Sequence, residues 1–376
     1  MTVINDNVAR TDRTATRRER IALAHGGGGQ LTDELLRSSV LPRIGNEILD
    51  ELLDAAVIRY GSQRLAVTID GYVVQPLKFP GGDIGRLAVS GTVNDLAVSG
   101  ARPIGIALGL ILAEGLERDV LDDVLDSVAS TAHEAGVRVI TGDTKVVGRG
   151  EADGMYVTTC GVGVVSHRAR VHPSFVMPGD VLMVNGPIAD HGLAVMLARE
   201  MPQVTSALRS DVAPLNKVID EVLKRVPGVV FMRDPTRGGL AGLCADLASR
   251  TGFHVRLDES VIPIRPETRH AGEMLGIDPL EVANEGKVVF AVRPTNVEQA
   301  LTTLSRAGCE AAAGSSRSRT ESNCRGSAEA EETMLLWLIA NVLAHHEASD
   351  QPFWLLLIAA TLVAAVAALV MRRNNG

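Results

Sequence analysis

Residues 70–103 read DGYVVQPLKFPGGDIGRLAVSGTVNDLAVSGARP. The run just before them, Leu65-Ala66-Val67-Thr68-Ile69, is short, apolar and β-branched, and it ends on Asp70-Gly71, as a strand running into a turn would. Pro80-Gly81-Gly82-Asp83 punctuates the chain again. From Ile84 to Ser99 the apolar residues Ile84, Leu87, Ala88, Val93, Leu96 and Ala97 recur at helical spacing. Inside that apolar helix sits Asn94-Asp95, two polar side chains that need partners if buried.

The same alternation extends outward. Ile104–Leu112 reads as a buried strand, Asp119–Ala135 as an amphipathic helix, and Val137–Ile140 and Tyr156–Val165 as two more strands. Upstream, Leu31–Leu36 opens a helix after His25 and a run of four glycines. Pro173, Pro178 and Gly179-Asp180 break the periodicity near 168–180. The theme then repeats, with strand Val181–Val184, helices near 189–200, 212–225 and 234–250, strand Val288–Val292 and helix Val297–Ala307. The predicted fold class is α+β, with a flexible tail at 1–20, an N-terminal domain at 21–168 and a C-terminal α/β domain at 169–312.

Hydrophobic residues are 46% of the chain but aromatics only 3%, so the cores must be aliphatic. A net charge of −8 argues against a general nucleic-acid binder, because phosphate contacts need clustered Lys and Arg. Cys160, Cys244, Cys309 and Cys324 show no CxxC spacing and read as reduced intracellular thiols. Beyond Ala313 the text becomes small, polar and charged, which predicts a disordered linker over 313–350. Residues 353–371 carry no charge and as a helix would span about 28 Å, so a membrane span is expected there. Arg372 and Arg373 after the span would by themselves put the C-terminus in the cytoplasm and the body outside, but two charges orient a long domain only weakly. The first 20 residues lack the apolar stretch of a secretory signal, which favours a cytoplasmic body.

Gly26, Gly27, Gly28 and Gly29 precede a helix start and could approach a phosphate, although they form neither a P-loop nor a dinucleotide fingerprint. Asp70, Asp83, Asp95 and Asp143 stand at element ends or inside an apolar helix. Carboxylates converging beside glycines suit a magnesium–nucleotide site, although any one Asp taken alone more often merely caps a turn, Asp95 least readily. Lys145 could pair with phosphate and Glu285 could act as a base. Arg237, in Asp234-Pro235-Thr236-Arg237-Gly238-Gly239, could fork onto a carboxylate or phosphate.

Taken in order, HGGGGQLTDELL (25–36), the 70–103 segment, TGDTKVV (141–147), DPTRGGL (234–240) and NEGK (284–287) resemble the HypE family of hydrogenase maturation proteins. That family is grouped with aminoimidazole ribonucleotide synthase, selenophosphate synthetase and thiamine-phosphate kinase. The resemblance implies a homodimer formed through the first sheet, with ATP near the interface. It implies Mg2+ on Asp70, Asp83, Asp95 and Asp143, and nucleotide contacts from the glycine run, Asn94, Thr144 and Arg237. Lys145 and Glu285 are implied beside the reacting group. A HypF-like carbamoyltransferase would load a terminal cysteine, ATP would drive dehydration of the carboxamide to a thiocyanate, and the cyanide would pass to iron on a HypC–HypD complex. The chain departs from the family after Ala313. The final strands of the second domain are missing, and the sequence ends Arg372-Arg373-Asn374-Asn375-Gly376 where a terminal Cys is expected. A non-catalytic, membrane-tethered module that docks the maturation machinery is therefore the rival reading, and a small-molecule kinase of the same superfamily is a third.

Overall fold

The structure, a computed structural model, describes residues 20–310 and the backbone of 312–313. The expected tail before Arg20, the linker from 314 onward and the apolar segment 353–371 lie outside the described residues. Among the described residues no helix is long and apolar enough to cross a membrane.

The N-terminal half opens with two short helices, α1 (Gln30–Leu35) and α2 (Leu41–Ile44). There follow β1 (Ala56–Tyr60), β2 (Gln63–Tyr72), the small ladder β3 (Lys78–Phe79) and β4 (Gly82–Asp83), α3 (Ile84–Val98), β5 (Ala101–Ala113), α4 (Arg118–Ala135), β6 (Val139–Val147) and β7 (Met155–Val165). Five of the strands form one sheet in the order β1-β2-β7-β5-β6. Every pairing is antiparallel except β5 with β6, and α4 supplies the crossover that a parallel pair requires. Alternate residues of β5, Ile106, Leu108, Leu110 and Leu112, point to one face and pack with Val157, Ala88, Val93, Val124 and Val128. No element among the described residues covers the opposite face, and there Ile69, Ile104 and Ile111 are exposed.

α3 is buried on nearly every side because it lies between this sheet and the second half of the chain. Its glycines make that possible. A Cβ at Gly85 would meet the Val124 carbonyl oxygen at 2.4 Å, and one at Gly91 would meet the Tyr72 hydroxyl at 2.3 Å.

The C-terminal half contains β8 (Val181–Val184), α5 (Asp190–Glu200), α6 (Asn216–Arg225), β9 (Val229–Arg233), α7 (Gly239–Thr251), α8 (Pro266–Leu275), β10 (Val289–Val292), α9 (Val297–Arg306) and β11 (Ala312–Ala313). Its antiparallel sheet runs β11-β8-β10-β9. Met183 and Phe290 pack with Ile219, Val222 and Leu304 on one side, and Leu182, Val184 and Val289 pack with Leu240, Leu243 and Leu247 on the other. Helices and antiparallel strands in both halves make this the α+β class expected.

Two local readings are corrected. α7 starts at Gly239 rather than Asp234, because Gly238 and Gly239 both have positive φ (75° and 61°) and turn the chain before the helix begins. β6 does not stop at Ile140. It pairs with β5 as far as Val147, so Asp143, Thr144 and Lys145 lie within a strand instead of after one.

Candidate active site

Acids from both halves meet along the inner end of α3. Asp70 comes from β2 and Asp95 from the last turn of α3. Asp54 precedes β1, Asp234 follows β9 directly, and Glu285 lies in the loop before β10. Thr68 Oγ1 is 2.9 Å from Asp95 Oδ2 and 2.9 Å from the Asp54 carbonyl oxygen. The Tyr72 hydroxyl donates to Asp70 Oδ2 at 3.2 Å. Burial raises the Asp95 carboxyl well above the usual carboxylate range; Asp234, Asp70 and Asp54 raise it further, and Thr68 opposes them. Burial is also the main cause for Asp234, which Asp54 and Asp70 raise and Arg233 lowers. Glu285 is raised well above its ordinary value by burial, then by Asp234, Asp70 and Asp211, against the pull of Arg237.

These shifts fix the sign of a pH effect. An acid with a raised folded pKa binds more protons in the folded chain than in the unfolded one. Stability is then fully present below the ordinary carboxylate value of about 4 and is lost as pH rises through the raised values. The ligand-free protein is therefore expected to melt a few degrees lower at about pH 7.5 than at about pH 5. Calorimetry at constant ionic strength checks this, and a flat or rising profile would contradict the clustering.

The glycine run reaches the same region. Gly28 has φ +79°, and a Cβ there would fall 2.2 Å from Arg237 Cβ. The Gly28 N–H donates to Thr32 Oγ1 at 2.9 Å, and that hydroxyl donates to the His25 carbonyl oxygen at 2.8 Å, which fixes the loop onto α1. Two motifs far apart in sequence are thus in contact, with the Arg237 guanidinium near Glu285.

Other expected site residues are placed differently. Asn94 donates to the Ala213 and Glu285 carbonyl oxygens (3.1 and 3.3 Å) and accepts from the Leu215 N–H at 2.7 Å. Its amide N–H groups are occupied, so it ties α3 to the second half rather than offering a donor to a nucleotide. Asp83 caps α3 by accepting from the Arg86 N–H at 2.8 Å. It is about 18 Å from Asp95 along the helix, too far for the two to share an ion. Asp143 and Lys145 pair with each other at 2.8 Å on exposed β6, and that pairing holds Asp143 below its ordinary value. With β7 and β5 between them, β6 and β2 are about 14 Å apart. A single chain therefore gathers Asp70, Asp95, Glu285, Arg237 and the glycines, and leaves Asp83, Asp143, Thr144 and Lys145 outside.

Asp54 and Asp234 join the site without having been expected. Asp234 stands directly after β9, which the sequence reading does not pick out as a strand, whereas Asp70, expected at a strand end, lies within β2. Asp54 has no sequence signal; it is visible only through Arg233, whose Nε donates to its Oδ1 at 3.1 Å. Among the described residues no three His, Cys, Asp or Glu side chains close around one point tightly enough to cage an ion. The set nonetheless fits magnesium, which takes one or two carboxylates and completes its shell with phosphate oxygens and water. All the donors are hard oxygens, and their mutual repulsion is what a dication relieves.

Residues 53–165 match the family model described as AIR synthase related protein, N-terminal domain, and residues 177–314 match the corresponding C-terminal domain. The carbamoyl dehydratase HypE of Rhodobacter capsulatus is 45% identical over 293 residues, covering 77% of this chain and 86% of its own length. The solved HypE–HypF complex contains a chain with a TM-score of 0.71 at 37% identity, covering 77% of this chain and 94% of that one. HypE solved in complex with ATP gives 0.66 at 38% identity, covering 80% and 91%. Similarity of this depth, over about three quarters of the chain and through both halves, shows that the chain belongs to the HypE family of AIR synthase related proteins.

Proposed function

We propose that this chain is an ATP-dependent carbamoyl dehydratase of NiFe hydrogenase maturation. The observation that carries the reading is the convergence of Asp70, Asp95, Asp234 and Glu285, from both halves, in a chain of this family. The relative from Rhodobacter capsulatus is named for that activity, one solved relative holds ATP and another holds HypF.

The carboxamide oxygen of an S-carbamoyl cysteine would attack the γ-phosphorus of ATP; ADP leaves and the nitrogen gives up one proton. Phosphate then departs with the second N–H proton, and the carbon–nitrogen triple bond of a thiocyanate forms. The amide oxygen is a poor leaving group and phosphate a good one. Glu285 is the base for the first proton, its carboxyl raised in the direction that a base working near neutral pH needs. Arg237 lies where it can meet phosphate oxygens. Asp70, Asp95 and Asp234 would hold Mg2+, which offsets the charge of the phosphates and of the acids themselves.

The sheet face that no described element covers and β6, with Val139, Ile140 and Val146 exposed, suit burial in a homodimer. Dimerisation would bring Asp143, Thr144 and Lys145 of one copy toward the nucleotide of the other. The division at 21–168 and 169–312, a second domain short of its final strands, a HypF-like donor and a HypC–HypD acceptor complete the reading. A cytoplasmic body tethered through 353–371 belongs to it as well. The described residues hold three free cysteines, Cys160, Cys244 and Cys309, and Cys160 lies within β7. Cys244 is buried with its thiol pushed up to about 12, and burial also raises Cys309. Cys324 lies outside the described residues.

The test is ATP hydrolysis by the full chain with and without HypF and carbamoyl phosphate. Hydrolysis is expected to depend on both additions and on magnesium. Turnover indifferent to the carbamoyl donor would overturn the assignment and favour the non-catalytic module.

A further inference from the structure

Behind the acidic cleft, on the far side of the Asp54–Arg233 pair, lies a cavity of about 530 Å³. It opens at the seam where β1, the start of β2 and the end of α3 meet β9 and the segment 167–175. Its size falls within the ~300–1,000 Å³ of small-molecule sites.

Its charge runs against that of the chain. Although the protein carries a net −8, Arg59, Arg64 and Arg170 line this cavity, and no acid pairs with any of the three among the described residues. Arg64 Nη2 donates to the carbonyl oxygens of Ser166 and Ala169 (3.0 and 3.2 Å), which orients its guanidinium without neutralising it. Two acids share the wall. Asp54 accepts from Arg233, and Glu51 lies 3.9 Å from His172 Nε2. The remaining surface is largely apolar, with Val57, Val98, Val171 and Met232, and with Phe175 set edgewise to His172 at 5.9 Å. Three uncompensated guanidiniums around one concavity repel each other and focus a positive potential into it.

The geometry points to a second binding site, for a small organic phosphate. Its dianionic phosphate lies among Arg59, Arg64 and Arg170, and its apolar body packs against Val57, Val171 and Phe175. Guanidinium groups meet phosphate oxygens through paired N–H donors, and the apolar wall distinguishes an ester from the bare ion. The site is independent of the nucleotide cleft, since the Asp54–Arg233 pair stands between them.

Calorimetric titration of the full chain with phenyl phosphate tests this, with the nucleotide cleft saturated by a non-hydrolysable ATP analogue and magnesium. The expected result is one phenyl phosphate per chain, bound at least about tenfold more tightly than inorganic phosphate. The double substitution Arg59→Ser with Arg170→Ser is expected to weaken it at least about tenfold with an unchanged melting temperature, because both side chains are exposed and make no intramolecular ion pair. Absence of binding, equal affinity for inorganic phosphate, retention of affinity in the double variant, or displacement by the ATP analogue would each overturn the proposal.

Discussion

Asp95→Asn and Asp234→Asn are each expected to lower ATP turnover by about 100-fold and, in the ligand-free chain, to raise stability by on the order of 1 kcal/mol. The two effects have opposite signs for one reason. In the unfolded chain at neutral pH these side chains are ionised and solvated. In the folded chain each is either ionised beside Asp54 and Asp70 or forced to hold a proton, and both states cost free energy. An amide of the same volume avoids that cost. It also removes a hard anionic oxygen from the place where magnesium and phosphate would meet. Thermal melts and steady-state ATP turnover on the same preparation check both signs. Unchanged turnover would remove that acid from the site, and a destabilised variant would show that it is a structural ligand of Thr68 or Arg233 instead.

The fold was legible where periodicity is clean. β2, α4 and β7 show a period of 2 or 3.6, while α3 and β5 stand out as long apolar runs, and the predicted ends of all five fall within a few residues of the observed ones. β1 was not legible. Four of its five residues are exposed, so it carries no buried alternation and exists as an edge strand because β2 folds back onto it. β9 carries the same kind of continuous buried run as β8 and β10, Val229-Val230-Phe231-Met232, so missing alternation does not separate it from the strands that were legible. β6 was cut short because its second half, Thr141–Lys145, has turn-like residues, and only its parallel ladder to β5 keeps it extended.

The site divides along the same line. Asp70 and Asp95 could be read because their local surroundings are apolar, so a charge there needs a reason. Asn94 raised the same question, but its answer is a set of backbone groups more than a hundred residues away in sequence, which no local pattern encodes. Asp83 looked like Asp70 in sequence, since Gly-Asp before a helix and Asp-Gly after a strand carry the same composition. Helix capping accounts for Asp83 fully.

Gly286→Ala is expected to cost roughly 3 kcal/mol or more and to abolish ATP turnover. A Cβ on Gly286 would lie 2.0 Å from the Asp211 carbonyl oxygen and 2.8 Å from its carbon, which are backbone atoms that cannot swing aside. The loop cannot back away either, because it is held on several sides. Asn284 Oδ1 accepts from the Ala189 N–H at 2.7 Å, and its amide donates to the Pro235 carbonyl oxygen at 3.0 Å. Asn185 donates to the Gly286 carbonyl oxygen at 3.3 Å, and Lys287 pairs with the Asp211 carboxylate. Asn94 donates to the Glu285 carbonyl oxygen from α3. Relief of the clash must break some of these ties, and each break moves Glu285 away from Asp70 and Asp95. Gly26→Ala is the matching control: a Cβ there meets nothing within 4 Å, and its stability change is expected within about 0.5 kcal/mol. Urea denaturation midpoints of the two variants, read beside their ATP turnover, separate the outcomes. If Gly286→Ala kept both the native midpoint and the native turnover, the loop would not be docked on Asp211, and Glu285 would not be the base that the cleft positions.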